Sequence, residues 1–154
     1  MSALDRLASN YELLPEILQE YEDLIDEEAV AKHLAIKGKV LESANTEQAS
    51  WQFYYETRKA EVYAVVKWLE GKLAAVRGKH FKLYTEHYSR ELNDRTKDKY
   101  IDNEEEVLNQ LQIYLTFKEL HEKYEAVCEA FRSRGFALRN ITEIRIRSLE
   151  DTTI

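Results

Sequence analysis

Apolar positions along the chain recur at steps of three and four, and the longest regular run lies in its middle. From Trp51 onward, Tyr55, Val62, Leu69, Val76 and Leu83 recur every seven residues, with Val66, Leu73, His80 and His87 between them. A seam sustained this long predicts one long packed helix. Upstream, Leu4, Leu7, Tyr11, Leu14, Leu18, Tyr21 and Ile25 form a second seam, interrupted by Pro15. Proline fits the first turn of a helix and not its interior, so the pattern predicts one helix before Leu13 and another from Pro15 to about Leu24. Asp26 followed by Glu27 and Glu28 predicts the cap of a third helix carrying Val30, Leu34, Val40, Leu41 and Ala44. The polar residues 43–50 read either as a break or as a wetter part of one long helix.

Residues 89–99 are charged and poor in apolar side chains, and read as a loop. Asp102 with Glu105 reads as the capping box of a further helix. That helix has two apolar stripes, one with Val107, Leu111, Tyr114 and Leu115, the other with Ile113, Phe117, Leu120, Tyr124, Val127, Cys128 and Phe131. A helix apolar on two sides needs cover on two sides, some of it expected from a second copy of the chain. Gly135 reads as the left-handed end of this helix, with Arg132 and Arg134 in the last turn and a Phe131–Phe136 contact across it. Asn140 and Glu143 then predict a short final helix from Ile141 to about Leu149. The expected fold is all-α, with an acidic arm (1–25), a central helical region (26–99) and a C-terminal helical oligomerisation region (100–154).

One proline, four glycines and 33% charged residues suit long helices. Four glycines leave no phosphate cradle, and no Gly-rich loop runs into Lys-Ser or Lys-Thr. Nothing in the spacing sets a histidine beside Cys128, and His80 and His87 are about 10 Å apart along a helix, too far to share a metal. No catalytic site, metal or cofactor is expected. A lone cysteine excludes a disulfide framework and suits a reducing cytoplasm. No apolar run reaches membrane length, and the N-terminus lacks the basic and apolar parts of a signal peptide, so a soluble intracellular protein is expected.

The net charge of −7 is unevenly spread. Residues 1–30 sum to −8, 31–100 to +5, 101–125 to −5 and 126–154 to +1. A cationic zone thus lies between anionic ones, and the local field decides where a polyanion lands. On a helical wheel Trp68, Lys72, Lys79 and Lys82 flank one side of the central seam, while Tyr63, Arg77, Phe81, Tyr84 and Tyr88 flank the other. Gly71 and Gly78 share the face away from the seam, marking either a close approach or simple tolerance. Cations interleaved with flat rings, continuing through Arg90 and Arg95, are what a groove tracking a single strand requires. The same spacing also serves an ordinary solvated helix flank.

The run Ser-Arg-Gly-Phe-Ala-Leu-Arg-Asn-Ile at 133–141, behind a long helix that starts after Tyr100-Ile101-Asp102, resembles the C-terminal half of the bacteriophage recombination mediators of the UvsY type. The resemblance spans residues 14–149 and is sharpest over 100–145. It departs from the family at Ile146, where an aromatic is expected, and at Tyr88-Ser89-Arg90, which lacks a glycine. It implies a homo-oligomeric ring of about six or seven subunits that binds single-stranded DNA. Such a ring weakens the hold of the single-strand-binding protein and helps a RecA-like phage recombinase assemble, in the cytoplasm of the bacterial host. It further implies DNA contacts near the end of the central helix, at Lys82 or Lys79. With them the expected DNA-binding set is Trp68, Lys72, Arg77, Lys79, Lys82, Tyr84, Tyr88 and Arg90. Phe117, Leu120, Tyr124, Phe131, Phe136, Ile141 and Ile144 are the expected subunit interface, and the acidic arm, residues 5–28, the expected recombinase dock. The alternative is a coiled-coil scaffold or adaptor that oligomerises without touching nucleic acid.

Overall fold

The computed structural model describes residues 1–88 and 90–151, residues 149–151 as backbone alone. Ser89, in the expected connector, and residues 152–154, in the expected C-terminal region, lie outside the described residues. The described residues form helices and no strand: α1 (Ala3–Ser9), a 3-10 turn (Tyr11–Leu13), α2 (Leu14–Asp23), α3 (Glu27–Leu34), α4 (Leu41–His87), α5 (Asp94–Asp102) and α6 (Glu105–Asp151). The all-α expectation holds.

Local chemistry sets most of the boundaries. Ser2 Oγ accepts from the Asp5 amide at 3.2 Å while the Asp5 carboxylate accepts from the Ser2 amide at 3.1 Å, a reciprocal cap on α1. Pro15 falls in the first turn of α2, as its fixed φ and missing N–H require. Asp26 caps α3 by accepting from Ala29 N at 3.3 Å. The chain then turns at Gly38, whose φ of 82° is open to glycine at little cost. The polar residues 43–50 are the first turns of α4, so they are the wetter part of one long helix.

Contacts divide the chain into two compact units: residues 1–13 with 61–121, and residues 14–60 with those from 122 onward. In the first unit Leu7, Val62, Val65, Leu69, Ile101, Val107, Phe117 and Leu120 are buried. In the second, Ile17, Tyr21, Ala44, Tyr55, Tyr124, Cys128, Phe131 and Leu138 are buried. There the Tyr124 hydroxyl donates to the Tyr21 carbonyl at 2.7 Å, which satisfies the polar end of a buried ring. Tyr55 stacks on Phe131 with centroids 5.0 Å apart, and its hydroxyl meets His33 Nδ1 at 2.8 Å.

Four boundaries differ from expectation. The third helix stops at Leu34, so Val40, Leu41 and Ala44 are not on it: the chain turns at Gly38, and Leu41 and Ala44 belong to α4. Residues 94–102 are a helix, not loop: Asn93 Oδ1 accepts from Thr96 N at 2.8 Å as its cap, and Ile101 and the stem of Lys97 supply a buried side. The ammonium of Lys97 lies 4.9 Å from the Phe81 ring centroid, so a residue counted as polar does apolar packing. Asp102 ends α5 instead of capping the next helix, and its carboxylate is taken by Arg77. Finally, α6 runs unbroken through Gly135 and Asn140, and Gly135 has no positive φ. The helix continues because Phe131, Arg134 and Leu138 form one buried stripe across the predicted break.

Candidate nucleic-acid interface

The expected DNA-binding residues lie in the first unit, on and just beyond the C-terminal half of α4, and fall into three groups. Trp68 and Lys72 meet the 3-10 turn. The Trp68 ring is 5.9 Å from that of Tyr11, and Lys72 Nζ sits 4.4 Å from the Trp68 centroid and 5.2 Å from that of Tyr11. This cation–π cluster borders a groove of about 290 Å³ lined by Tyr11, Lys72, Ala75, Val76, Glu106 and Gln110.

The second group faces carboxylates from α5 and the start of α6. Arg77 Nη1 donates to Asp102 at 2.6 Å, and its Nη2 is 4.0 Å from Asp98. Lys79 Nζ reaches both oxygens of Glu106, at 3.1 and 3.3 Å, and His80 Nε2 meets the same carboxylate at 3.0 Å. Hydrogen bonds from Lys79 and His80 hold the Glu106 carboxyl below the usual range. The Tyr84 hydroxyl donates to Glu104, which pushes its pKa up to about 12. The ring of Tyr84 lies near-parallel to that of Tyr100 at 5.7 Å, and Tyr100 to Tyr88 at 6.2 Å.

The third group faces solvent. Lys82 is 73% exposed, 3.9 Å from Glu86 on its own helix. Tyr88 and Tyr100 are nearly half exposed, and Arg90 and Arg95 are exposed. Tyr11, Tyr100 and the opposing carboxylates are the neighbours that the sequence pattern does not single out; the acidity of residues 101–106 is the signal for the last of these, and by spacing it reads equally well as helix capping.

Of the expected subunit-interface residues, Phe117, Leu120, Tyr124 and Phe131 are at most 1% exposed in the single chain. The cover anticipated from a second copy is supplied at these positions by the chain's own core, which corrects that part of the set. Phe136 and Ile144 are 63% and 64% exposed, and Ile141 is half-buried. Phe136 and Arg139 line a groove of about 560 Å³ in the second unit, together with Asn45, Gln48, Arg132 and Thr142.

No group of three or more His, Cys, Asp or Glu among the described residues could hold a metal ion. Among the same residues no helix is long and apolar enough to cross a membrane. Burial pushes the Cys128 thiol up to about 11, which is poor chemistry for a nucleophile at neutral pH.

Two crystal structures of the recombination mediator protein UvsY of bacteriophage T4 share this fold. One superposes with a TM-score of 0.69, covering 83% of this chain and 98% of the UvsY chain at 16% identity. The other gives 0.70, covering 83% and 96% at 16% identity. No protein-family model matches the sequence, and no curated protein does. The chain has the UvsY fold, as its sequence resemblance led one to expect.

Proposed function

We propose that this chain is a non-catalytic recombination mediator. It binds single-stranded DNA along the C-terminal half of α4, assembles as a ring, and helps a RecA-like phage recombinase load onto DNA covered by single-strand-binding protein. The observation that carries this reading is the fold match, which covers 98% of the solved mediator chain. The exposed cations and rings at the end of α4 add to it.

In this reading Lys72, Arg77, Lys79, Lys82 and Arg90 contact phosphates, while bases stack on Trp68, Tyr84 and Tyr88. Stacking contributes about 1–3 kcal/mol per base. One subunit alone binds weakly; repetition around a ring makes later contacts intramolecular and multiplies the affinity. Phe136, Ile141 and Ile144 are the expected residues that remain at the surface for subunit contact. Hydrolysis belongs to the recombinase, and the host cytoplasm is the site of action.

The test is a salt titration of binding to a fluorescent single-stranded oligonucleotide, paired with mass in solution. A mediator gives a log K that falls steeply against log salt and a mass several times that of the chain. Negligible affinity in dilute buffer, with assembly intact, would establish the scaffold alternative instead.

A further inference from the structure

We propose that the carboxylates of the α5–α6 junction are internal stand-ins for DNA phosphates, which set the affinity of the basic face by having to be displaced from it. The inference rests on the mediator reading and adds a means of regulation to the same surface.

The relevant contacts come from one short segment. Asp98, Asp102, Glu104 and Glu106 lie within nine residues, and each faces a donor on α4 twenty or more positions earlier. Asp102 takes Arg77 at 2.6 Å, and Glu106 takes Lys79 at 3.1 Å and His80 at 3.0 Å. Glu104 takes the Tyr84 hydroxyl. Three of these donors, Arg77, Lys79 and Tyr84, belong to the expected DNA-binding set. In the chain alone they are thus already occupied by oxygen anions.

Exposure makes the occupation reversible. Arg77 and Asp102 are 36% and 60% exposed, Lys79 and Glu106 60% and 48%. Ion pairs this wet are individually weak and screened by salt. A single phosphate gains little by replacing one carboxylate with itself. A polyanion that first binds Lys82, whose nearest acid is 3.9 Å away on the same helix, presents its next phosphates at high effective concentration. The carboxylates therefore select for extended, densely charged strands over isolated anions. They also turn away weakly charged ligands that would otherwise foul an open basic face.

The test compares three forms of the full chain for binding to a fluorescent oligothymidylate: wild type, Asp102→Asn/Glu106→Gln, and a charge-matched control, Glu42→Gln/Glu125→Gln. The junction variant should bind about three- to twentyfold more tightly, the control within about twofold of wild type. If the junction variant merely matches the control while wild type binds, the phosphate-mimic role is overturned and the mediator reading stands. If no form binds in dilute buffer, both fall, because freed cations have found no strand. Binding by the junction variant alone would support the mimic in its strongest form. Circular dichroism checks folding; should the double variant lose helicity, Glu106→Gln alone, with the Arg77–Asp102 pair intact, must still show a smaller gain.

Discussion

Gly135 makes room for Gln48: a Cβ on the glycine would sit 3.1 Å from Gln48 Nε2. Gln48 cannot easily move aside. Its amide nitrogen donates to the Phe131 carbonyl at 2.5 Å, and its amide oxygen accepts from Arg134 Nη1 at 2.7 Å. Gly71 and Gly78 have nothing within 4 Å of the same point. Gly135→Ala should therefore destabilise the protein by about 1–2 kcal/mol, the disturbed hydrogen bonds outweighing the gain in helix propensity. Gly71→Ala and Gly78→Ala should each stabilise by about 0.5–1 kcal/mol. Urea melts of the three variants check both signs.

Arg134 is 4% exposed and donates to the carbonyls of Leu34 (3.0 Å), Ala35 (3.4 Å) and Ala44 (3.3 Å) as well as to Gln48. Arg134→Ala leaves these acceptors without their donor and should cost about 3–4 kcal/mol in denaturant unfolding. Arg134→Lys should recover only part of that, because one ammonium cannot span the fork.

His33 stacks on Trp51 with centroids 3.5 Å apart. Burial, followed by the nearby Lys39, lowers its pKa below the ordinary 6.5, while Glu47 opposes them. Below about pH 6.5 the unfolded chain takes up a proton that the folded site refuses, so stability falls as pH drops through that range and levels off once the folded histidine titrates. The melting temperature of His33→Gln should fall less than that of wild type between about pH 7.5 and 5.5. An identical decline in both would remove His33 as the source.

Lys79→Ala/Lys82→Ala should weaken single-strand binding and reduce the slope of log K against log salt by about 1.4, at roughly 0.7 per lost phosphate contact. Helicity and oligomer size should not change. Of the single variants, Lys82→Ala should lose more, because Lys79 is paired with Glu106 in the free protein.

Cys128 is fully buried and its thiol is raised to about 11, so it should react with a thiol-specific disulfide reagent at pH 8 at least about a hundredfold more slowly in the native protein than in urea. Comparable rates would mean that the helices around it open readily.

Helix starts were legible where one side chain decides them: Pro15 and Asp26 fix α2 and α3 by local geometry, and both fell where expected. The long α4 was legible because its seam repeats. What escaped depends on partners distant in the chain. Gly135 carries the same letter whether it turns a helix or clears space for Gln48, and only packing tells these apart. Lys97 counts as polar in any pattern, yet its stem closes the buried side of α5. Asp102 fits helix-start chemistry by its spacing to Glu105, and Glu106 does so as a first-turn acid, while their side-chain partners, Arg77 and Lys79, lie 25 and 27 residues away. The α6 stripe of Phe117, Leu120, Tyr124 and Phe131 is covered while Leu115 of the other stripe stays about half exposed, and a stripe does not say whose side chains provide its cover.

The hydrogen bonds of Arg134 also order events during synthesis. The turn between α3 and α4 is translated early, yet the donor that satisfies its carbonyls is added about one hundred residues later. A ribosome-bound chain stalled before that arginine emerges would carry a corner still dependent on water, and a nascent chain of this protein should gain protease resistance there only once Arg134 has emerged.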